Sequence, residues 1–378
     1  MKILQVVQSL GKGGAERLVL EISQALRKYH PEVQNRIVAL ERKNEYEELS
    51  KDLDIVYCDS KVNLSISGHS NIDVAGFDNI VKEYCPDVIH SHTYKSELVS
   101  REHLFPNVRY FTHAHNNMPE FRNFTFGTIF NKGKLTKLWE KCRIVAKYKR
   151  CNNKFIAISS DTERFYKRAL PKTLAKNIYT LPNAIDYHKF YYERNPDCSG
   201  PLNLIMVAHM SDYKNQTFLI DVLKNLISRG VDAVLTLIGD WRNNGELIKL
   251  KAERLGVLSH LRMPGLVEDV ERMYSINHIY VHSAYYEPFG LVLIEAMASG
   301  LPVVTLDGRG NRDLIVQGKN GYMVYEQDAE QFADRILEIW NDKQKYNEMS
   351  AFAQEFARQF DIKPYVDSLL DFYQGSNS

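Results

Sequence analysis

Residues 277–307, NHIYVHSAYYEPFGLVLIEAMASGLPVVTLD, decide the fold of this chain. The first eight are rich in β-branched and aromatic side chains and predict a strand, and the Pro and Gly of the next six predict a loop. Residues 291–299 have helical composition until a Gly-Leu-Pro sequence ends the helix, and PVVTLD at 302–307 predicts a second strand. This is a βαβ unit, whose strands are parallel and whose ligands bind beyond the carboxyl ends of the strands.

Two glutamates frame the loop and the helix of this unit. Glu287 lies in the loop, and Glu295 shares a helix face with apolar residues, so we expect Glu295 to have a dedicated hydrogen-bond donor. Between them the start of the helix exposes backbone amides that favour a phosphate, those of Phe289, Gly290 and Leu291. An acid, an anion site and a second acid is the order that a sugar, a diphosphate and a ribose require. The alternative is a solvated loop acid and a salt-bridged helix acid.

The longer stretch of residues 265–304 resembles the donor-binding segment of the retaining glycosyltransferases of family 4, of the bacterial surface-polysaccharide type. The resemblance implies an α/β protein of the GT-B fold, with two Rossmann-like parallel-sheet domains that face each other across a cleft. It also implies that Glu287 contacts the transferred sugar as a catalytic residue and that Glu295 contacts the ribose. The donor phosphates are then expected at the amides of Phe289, Gly290 and Leu291.

Length and composition set further bounds. The 378 residues, 44% of them hydrophobic, favour two domains, and a net charge of +1 gives no indication of nucleic-acid binding. The five scattered cysteines form no CxxC pair, which indicates neither a disulfide framework nor a zinc site and favours a reducing compartment. Since no apolar stretch reaches the roughly 20 residues of a membrane span, we expect a cytoplasmic protein.

Strand-like and helical runs alternate along the whole chain, which predicts parallel sheets with crossover helices. A polar stretch after Tyr191, punctuated by Pro and Gly, interrupts the alternation. We therefore predict an N-terminal, acceptor-side domain over residues 1–195 and a C-terminal domain that binds the nucleotide sugar over residues 196–361. The family resemblance implies that a last helix, residues 362–374, packs back on the first domain.

A glycine-rich turn follows the first predicted strand and precedes a good amphipathic helix. Such a turn allows backbone to approach a phosphate, but it equally serves tight packing. GGAER at this position is typical of family 4, which implies that Gly13 and Gly14 contact the donor or the acceptor.

Residues 207–215, VAHMSDYKN, follow a strand at the place where the family has Gly-Arg and then Lys-Asn. The resemblance makes Lys214 a catalytic and donor-binding cation that balances the diphosphate and stabilises the leaving group. The family's Arg is replaced by His209, which can donate a hydrogen bond to the donor but cannot form the bidentate fork of a guanidinium. An ordinary surface lysine is the alternative for Lys214.

The first domain has two alternating pairs, HSH at 90–92 and HAH at 113–115, in which both imidazoles face one side of a strand. The pattern fits a zinc site, but no Cys lies beside it and ordinary strand alternation explains it too. The resemblance implies instead that His115 contacts the transferred sugar, with Asn116 beside it. His92 and His113 are further acceptor-side candidates, or hydrogen-bonded core histidines.

No metal ligand and no cofactor is therefore predicted. Asp52-Leu-Asp54 matches the DxD pattern of metal-dependent transferases, but it precedes a strand where the pattern should end one. A GT-B enzyme does not need a metal, because a lysine and helix-terminal amides offset the phosphate charge.

Residues 123–154 form the most basic segment, with nine Lys and Arg residues against one acid. Apolar residues recur at helical spacing on another face, as in a helix lying on an anionic bilayer and equally as in a packed helix with its polar side in water. Many family 4 enzymes use such a segment to reach lipid-linked acceptors, so the resemblance favours the first interpretation. It implies binding to the inner face of the plasma membrane. Three bases are expected to contribute: Lys137, Lys141 and Lys147.

Together these patterns predict a retaining, metal-independent glycosyltransferase. It would move a hexose or an N-acetylhexosamine from a nucleotide diphosphate sugar, most simply a UDP-sugar, to a glycan or lipid-linked acceptor of a cell-surface polysaccharide. The alternatives are a sugar-nucleotide epimerase of the same fold and a catalytically silent scaffold that binds nucleotide sugars. The sequence does not identify the sugar, the base or the linkage.

Overall fold

A computed structural model describes residues 1–64, 70–121, 132–194, 200–241 and 244–375. The chain forms two compact units. The first unit comprises residues 1–184 together with 362–378, and the second comprises residues 185–361. Each unit is built around its own parallel sheet.

The sheet of the first unit has seven parallel strands in the order β3-β2-β1-β6-β7-β8-β9. A separate antiparallel pair is formed by β4 and β5. The strands are β1 (Lys2–Val7), β2 (Gln34–Ala39), β3 (Ile55–Tyr57), β4 (Val62–Asn63), β5 (Asn71–Ile72), β6 (Val88–Ser91), β7 (Arg109–Ala114), β8 (Lys154–Ala157) and β9 (Ile178–Thr180). The central strands are buried because helices cover the sheet, and β6 and β7 also bury polar side chains, among them His90 and His113.

The helices of the first unit are α1 (Gly14–Tyr29), α2 (Glu47–Ser50), α3 (Ala75–Tyr84), α4 (Tyr94–Ser100), α5 (Lys132–Arg150), α6 (Ser160–Ala169) and α7 (Lys172–Ala175). The amphipathic pattern predicted for α1 is confirmed, since Leu18, Ile22 and Leu26 are fully buried at four-residue spacing. These side chains pack in one cluster with Ile3 of β1.

The second unit repeats this organisation with six parallel strands in the order β12-β11-β10-β13-β14-β15. Its strands are β10 (Leu202–Val207), β11 (Ala233–Ile238), β12 (Leu261–Gly265), β13 (Ile279–His282), β14 (Val303–Leu306) and β15 (Gly321–Val324). Its helices are α8 (Tyr187–Phe190), α9 (Gln216–Ser228), α10 (Gly245–Arg254), α11 (Val270–Ser275), α12 (Leu291–Ala298), α13 (Ala329–Trp340) and α14 (Lys343–Arg358). The predicted βαβ unit is β13, α12 and β14, and its strands are parallel.

The two units meet in sequence at Ala184 and Ile185, before the boundary expected at 195/196. The residues just after this point belong to the second unit because they are anchored in it. Phe190 is buried, and Arg194 donates hydrogen bonds to the carbonyl oxygens of Ser299 and Asn277. The chain is therefore tied to the second unit on both sides of Tyr191, while residues 195–199 of the predicted linker lie outside the described residues.

The last helix, α15 (Ile362–Gln374), belongs to the first unit. Its apolar face includes Val366, Leu369 and Tyr373, which are fully buried in the same cluster as Ile3 and Leu18. Its apolar stripe at three- and four-residue spacing therefore completes the core of the first unit.

Both sheets reverse their strand order beside the first strand of the unit, between β1 and β6 in one and between β10 and β13 in the other. This is the order of a doubly wound dinucleotide-binding fold, whose ligands bind in the crevice at the reversal, beyond the carboxyl ends of the strands. The loops after these four strands are therefore where a functional site is expected.

Candidate functional site

In the second unit, the loops that follow β10 and β13 are bound to each other. Ser283 donates a hydrogen bond from Oγ to the Lys214 carbonyl oxygen at 2.8 Å. The Tyr285 amide donates to the Tyr213 carbonyl oxygen at 2.9 Å. These two bonds fix the short 3-10 turn of Asp212–Lys214 against the loop that contains Glu287.

Glu287 lies at the centre of this arrangement. Its Oε2 accepts from Lys214 Nζ at 2.6 Å and lies 3.1 Å from His282 Nε2. Glu287 is only 8% exposed and His282 is fully buried. The structure thus brings together two of the predicted catalytic residues and adds His282, which the sequence analysis missed.

The charge on Glu287 is controlled by its partners. Burial alone would raise the pKa of this carboxyl group, but Lys214 and His282 together hold it well below its usual range. Burial lowers the pKa of His282, and the carboxylate of Glu287 opposes that effect. The site therefore holds an ionised carboxylate beside a lysine at neutral pH.

Two glycines position the main chain of Glu287. Its amide donates to the Gly308 carbonyl oxygen at 2.8 Å, and the Gly310 amide donates to the Glu287 carbonyl oxygen at 3.0 Å. A Cβ atom on Gly310 would lie 2.0 Å from the carbonyl oxygen of Pro288, so no other residue fits there without displacing the loop. The segment after β14 thus holds the loop that contains Glu287 in place.

The N-terminus of α12 follows directly. Gly290, at φ +109°, precedes the first helical residue, Leu291, in a conformation that strongly favours glycine. Phe289 is buried, with its ring centroid 5.9 Å from that of Phe360. The first hydrogen bond of the helix runs from the Leu293 amide to the Gly290 carbonyl oxygen, so the amides of Phe289, Gly290 and Leu291 precede it and suit an anion.

Glu295 lies one turn further along α12 and is 1% exposed. Tyr274 of α11 donates its hydroxyl to Glu295 Oε2 at 3.0 Å. The expectation that this buried acid has a dedicated donor is confirmed. The tyrosine itself, 21 positions earlier in the chain, could not be identified from the sequence.

His209 follows β10 with an exposed side chain, and its carbonyl oxygen accepts from the Gln216 side chain at 3.0 Å. This bond ties the loop to the start of α9. The role of the imidazole toward a phosphate stays a prediction.

In the first unit, the glycine-rich turn is bound to the segment after β2. The Gly13 amide donates to the Tyr46 hydroxyl at 3.1 Å, and this hydroxyl donates to the Gly13 carbonyl oxygen at 3.0 Å. The Lys12 amide donates to Glu45 at 2.8 Å. A Cβ atom on Gly13 would lie 2.3 Å from a carboxylate oxygen of Glu16, so a larger residue here would displace the Glu16 side chain. The predicted contacts of Gly13 and Gly14 with a ligand stay predictions.

The four histidines of the HSH and HAH pairs gather on one face of β6 and β7. Successive rings lie close together, with centroids 4.3 Å apart for His90 and His92 and 4.2 Å apart for His113 and His115. His92 Nδ1 lies 3.0 Å from His115 Nε2. Asn116, beside His115, is exposed.

These imidazoles are neutral at physiological pH. Burial lowers the pKa of His113 to about 3, against an opposing effect of the Asn183 side chain. Burial likewise holds the pKa values of His90, His92 and His115 well below the usual range. The cluster therefore presents lone pairs and N–H donors rather than positive charge.

The acids of the DxD match are paired with arginines at the edge of the first unit. Asp54 Oδ2 accepts from Arg36 Nε at 2.8 Å, and Asp52 Oδ2 lies 3.9 Å from Arg27. The interpretation of these acids as surface groups holds.

The basic segment of residues 123–154 is described only from residue 132 onward, where it forms α5 and the start of β8. Lys137 is exposed, but the expectation that Lys147 faces outward is wrong. Lys147 is 5% exposed because it pairs with Glu102 and donates to the Leu98 carbonyl oxygen. Within the described residues, the helices are too short or too polar to cross a membrane.

Comparison with known proteins places this geometry in a family. The model of "Glycosyltransferase Family 4" matches residues 12–189, and that of "Glycosyl transferases group 1" matches residues 194–356. Together the two models span most of the chain.

Curated relatives match this chain over parts of different length. Spore coat protein SA of Bacillus subtilis (strain 168) is 28% identical over 185 residues, which are 46% of this chain and 49% of that protein. The chain thus spans about half the length of this relative. The Escherichia coli UDP-Gal:alpha-D-GlcNAc-diphosphoundecaprenol alpha-1,3-galactosyltransferase is 22% identical over 314 residues, 78% of this chain and 76% of that enzyme.

Among solved structures, Anabaena Alr3699/HepE in complex with UDP and glucose superposes with a TM-score of 0.80 at 20% identity, over 99% of this chain and 100% of the other. This likeness shows the fold, two Rossmann-like domains with parallel sheets. With two family models along its length and this architecture, the chain belongs to the family 4 glycosyltransferases of the GT-B fold.

Proposed function

We propose that this protein transfers a hexose or an N-acetylhexosamine from a UDP-sugar to a glycan or lipid-linked acceptor, with retention of the anomeric configuration and without a metal ion. The observation that carries the proposal is the buried contact of Lys214 with Glu287, beside His282 and the N-terminus of α12. A cation, an ionised acid and a row of amides lie at the strand reversal of the second unit, where a nucleotide is expected.

Lys214 has two tasks in this proposal. An ammonium group has three N–H donors, so Lys214 can hold Glu287 and also donate to the donor diphosphate. As the bond from the sugar to the phosphate breaks, negative charge grows on the diphosphate, and a lysine aimed at it lowers the barrier. The amides of Phe289, Gly290 and Leu291 add to this effect and replace a metal ion.

The two glutamates have separate tasks. Glu287, ionised and held by two side chains, accepts hydrogen bonds from hydroxyl groups of the transferred sugar. Glu295, oriented by Tyr274, accepts from the ribose. His209 is a further candidate for the phosphates.

The chemical step needs no protein base. The acceptor hydroxyl attacks the anomeric carbon on the face that the diphosphate leaves, so a new bond from carbon to the acceptor oxygen forms as the bond to the phosphate oxygen breaks. The acceptor proton passes to an oxygen of the departing diphosphate. We assign the acceptor side to the first unit, with His115 as the residue that contacts the sugar and Gly13, Gly14, His92, His113 and Asn116 as candidates.

The choice of UDP and of a lipid-linked acceptor is supported by the similar proteins. The Anabaena protein binds UDP and glucose, and the Escherichia coli relative is named for UDP-Gal and a diphosphoundecaprenol acceptor. We extend both to this chain as part of the proposal, together with a role in surface polysaccharide synthesis.

The exposed side of α5 supports a cytoplasmic protein bound peripherally to the inner face of the plasma membrane. Lys137, Lys149 and Arg150 are exposed, and so are Leu135 and Cys142. A helix that presents apolar and basic side chains together to solvent suits an anionic bilayer.

The test is incubation of the purified protein with radiolabelled UDP-, GDP- and ADP-sugars, with and without a membrane lipid extract. The proposal predicts labelled lipid only with extract and with a UDP-sugar, in the presence of EDTA. An epimerised sugar nucleotide without lipid would favour an epimerase instead. Tight binding without turnover of any donor would favour a silent scaffold and contradict both enzymatic functions.

A further inference from the structure

The histidine cluster of the first unit contains buried ring nitrogens that the proposed transfer does not explain. His113 is 1% exposed, and although the Asn183 side chain lies near enough to affect its pKa, neither ring nitrogen forms a hydrogen bond of normal geometry. His90 is fully buried, and its Nε2 is likewise without a partner. Each such group costs roughly 1–3 kcal/mol, so a native protein normally satisfies it.

In His92 and His90, one ring nitrogen is oriented by a side chain outside the cluster. His92 Nε2 lies 2.7 Å from Gln5 Oε1, and because that oxygen can only accept, His92 donates through Nε2 and carries its lone pair on Nδ1. His90 Nδ1 lies 2.5 Å from the hydroxyl of Tyr373 on α15. Metal-bound histidines have this arrangement, in which one nitrogen binds the ion and the other is oriented by a hydrogen bond.

We propose that His90, His92 and His113 form a binding site for one divalent transition-metal ion of the zinc class. One nitrogen from each of the three rings lies within 4.8 Å of the others. Zinc binds imidazole at about 2.0–2.1 Å, so small rotations about the side-chain torsions bring the nitrogens to the ion. His90 Nε2, His92 Nδ1 and a nitrogen of His113 are the ligand atoms.

The donor set selects the kind of ion. Three neutral imidazoles without a carboxylate suit Zn²⁺, Cu²⁺ or Ni²⁺ and are poor ligands for Mg²⁺ or Ca²⁺, which prefer oxygen. The fourth position is taken by water, whose ionisation on the metal reduces the buried charge. Since His115 Nε2 lies 3.0 Å from His92 Nδ1, binding at this Nδ1 competes with the hydrogen bond between the two rings.

The site links elements that are distant in sequence. His90 lies on β6 and His92 directly follows it, His113 lies on β7, and Tyr373 brings α15 to the same cluster. An ion that binds only the folded chain stabilises it in proportion to its concentration above the dissociation constant. The proposed transfer assigns the sugar contact to His115, so we give the ion a structural role in the first unit, and His92 and His113 are not acceptor-side residues when they bind it.

The experiment uses the full chain without a polyhistidine tag, stripped with EDTA and then dialysed against Zn²⁺ or Co²⁺. Elemental analysis is expected to find one ion per chain, and the Co²⁺ form is expected to absorb visible light as a four-coordinate nitrogen site does. X-ray absorption at the zinc edge should show imidazole scattering from three rings. Less than a tenth of an equivalent of Zn²⁺ after dialysis would overturn the proposal, as would a site without imidazole ligands.

Variants locate the site. His113→Phe keeps an aromatic ring in the buried position and is expected to lose bound Zn²⁺, whereas His188→Phe, at an exposed position, retains it. Circular dichroism checks that both variants fold. One ion per chain in folded His113→Phe would contradict the assignment. Transfer by the EDTA-treated wild type is measured in parallel, because its loss would contradict the metal-independent mechanism and not the existence of the site.

Discussion

Two buried glutamates, one in each unit, behave in opposite ways. Glu97 on α4 is fully buried and Glu287 is 8% exposed. Burial raises the pKa of Glu97 to about 8, although the guanidinium of Arg101 opposes the shift. The pKa of Glu287 is instead held well below its usual range by Lys214 and His282.

The difference lies in what each carboxyl group contacts. Lys214 Nζ donates directly to Glu287 at 2.6 Å. Glu97 accepts from the neutral hydroxyl of Tyr148, and Arg101 donates its N–H groups to uncharged oxygens such as those of Asn153 and Ser91. Burial disfavours the charged form of both acids, and at Glu287 the contact with a cation outweighs that effect. The charged pair of Lys214 and Glu287 in the second unit is consistent with the donor site that we propose there, whereas Glu97 belongs to a neutral polar cluster of the first unit.

Replacement of Lys214 by an uncharged residue should shift the pKa of Glu287 in the same direction as that of Glu97. In Lys214→Met the pKa of Glu287 is expected to rise and transfer to fall by about 10²–10³-fold, because the leaving diphosphate loses its stabilising charge. Initial rates with a labelled UDP-sugar measure the loss, and Lys224→Met, at an exposed position of α9, is the control. A variant that transfers at the wild-type rate would exclude Lys214 from the site.

Glu97→Gln tests the other member of the pair. A folded-state pKa raised to about 8 means that the folded protein binds the proton more tightly, so this acid stabilises the fold below about pH 4.5 and that contribution is lost as the pH rises to 8. The amide stays neutral, so the variant should be more stable than the wild type at pH 7, on the order of 2–3 kcal/mol, with little difference at pH 4.5.

Urea unfolding at the two pH values measures this effect, and Glu83→Gln, an exposed acid of the same unit, is the matched control. Equal stabilisation of Glu97→Gln at both pH values would show that the carboxyl group is not titrating in this range.

Glu295→Gln separates binding from chemistry within the second unit. Loss of a ribose contact that is made equally in the ground state and the transition state raises the donor KM and leaves kcat unchanged. We expect a rise of about 10-fold, equivalent to roughly 1.4 kcal/mol. Steady-state kinetics with the donor varied give both constants. A fall in kcat at unchanged KM would move Glu295 from the ribose to the reacting centre.

The smallest effect is expected at the surface of the first unit. The triple variant Lys137→Glu, Lys149→Glu and Arg150→Glu should sediment several-fold less with anionic vesicles, because an anionic surface attracts each exposed base and repels the acid that replaces it. The control with the same charge change is Lys224→Glu, Lys319→Glu and Lys343→Glu in the second unit. An equal decrease in sedimentation for both variants would indicate an effect of net charge rather than of α5. No decrease in the α5 variant would contradict the proposed membrane contact.

The sequence predicts those features that depend on local pattern. The βαβ unit around α12 is confirmed because Gly and Pro mark its ends, and the burial of Glu295 follows from its helical neighbours. Contacts made across the chain are not predicted. His282 was missed because a histidine in a β-rich run has the pattern of a core residue. Its contact with Glu287 depends on how the loop folds, and the sequence does not predict that.

Two errors have the same origin. Lys147 looks like a surface base in the helical periodicity, but Glu102, 45 positions earlier, lies beside it in the fold. The domain boundary was expected at 195/196 from composition, but Phe190 is buried with its ring centroid 6.1 Å from that of Tyr274, and the second unit begins at Ile185. Tertiary partners override local pattern in both cases.

The measurement that tests the account most directly is acceptor-dependent release of UDP from a UDP-sugar by the wild type and by Glu287→Gln, with Glu326→Gln, an exposed acid of the same unit, alongside. The amide keeps the shape of the side chain but removes the charge that Lys214 and His282 stabilise. We predict that the wild type and Glu326→Gln release UDP at similar rates and that Glu287→Gln is slower by at least about 10²-fold while still folded. Equal rates in all three proteins would contradict the assignment of Glu287 to the transferred sugar.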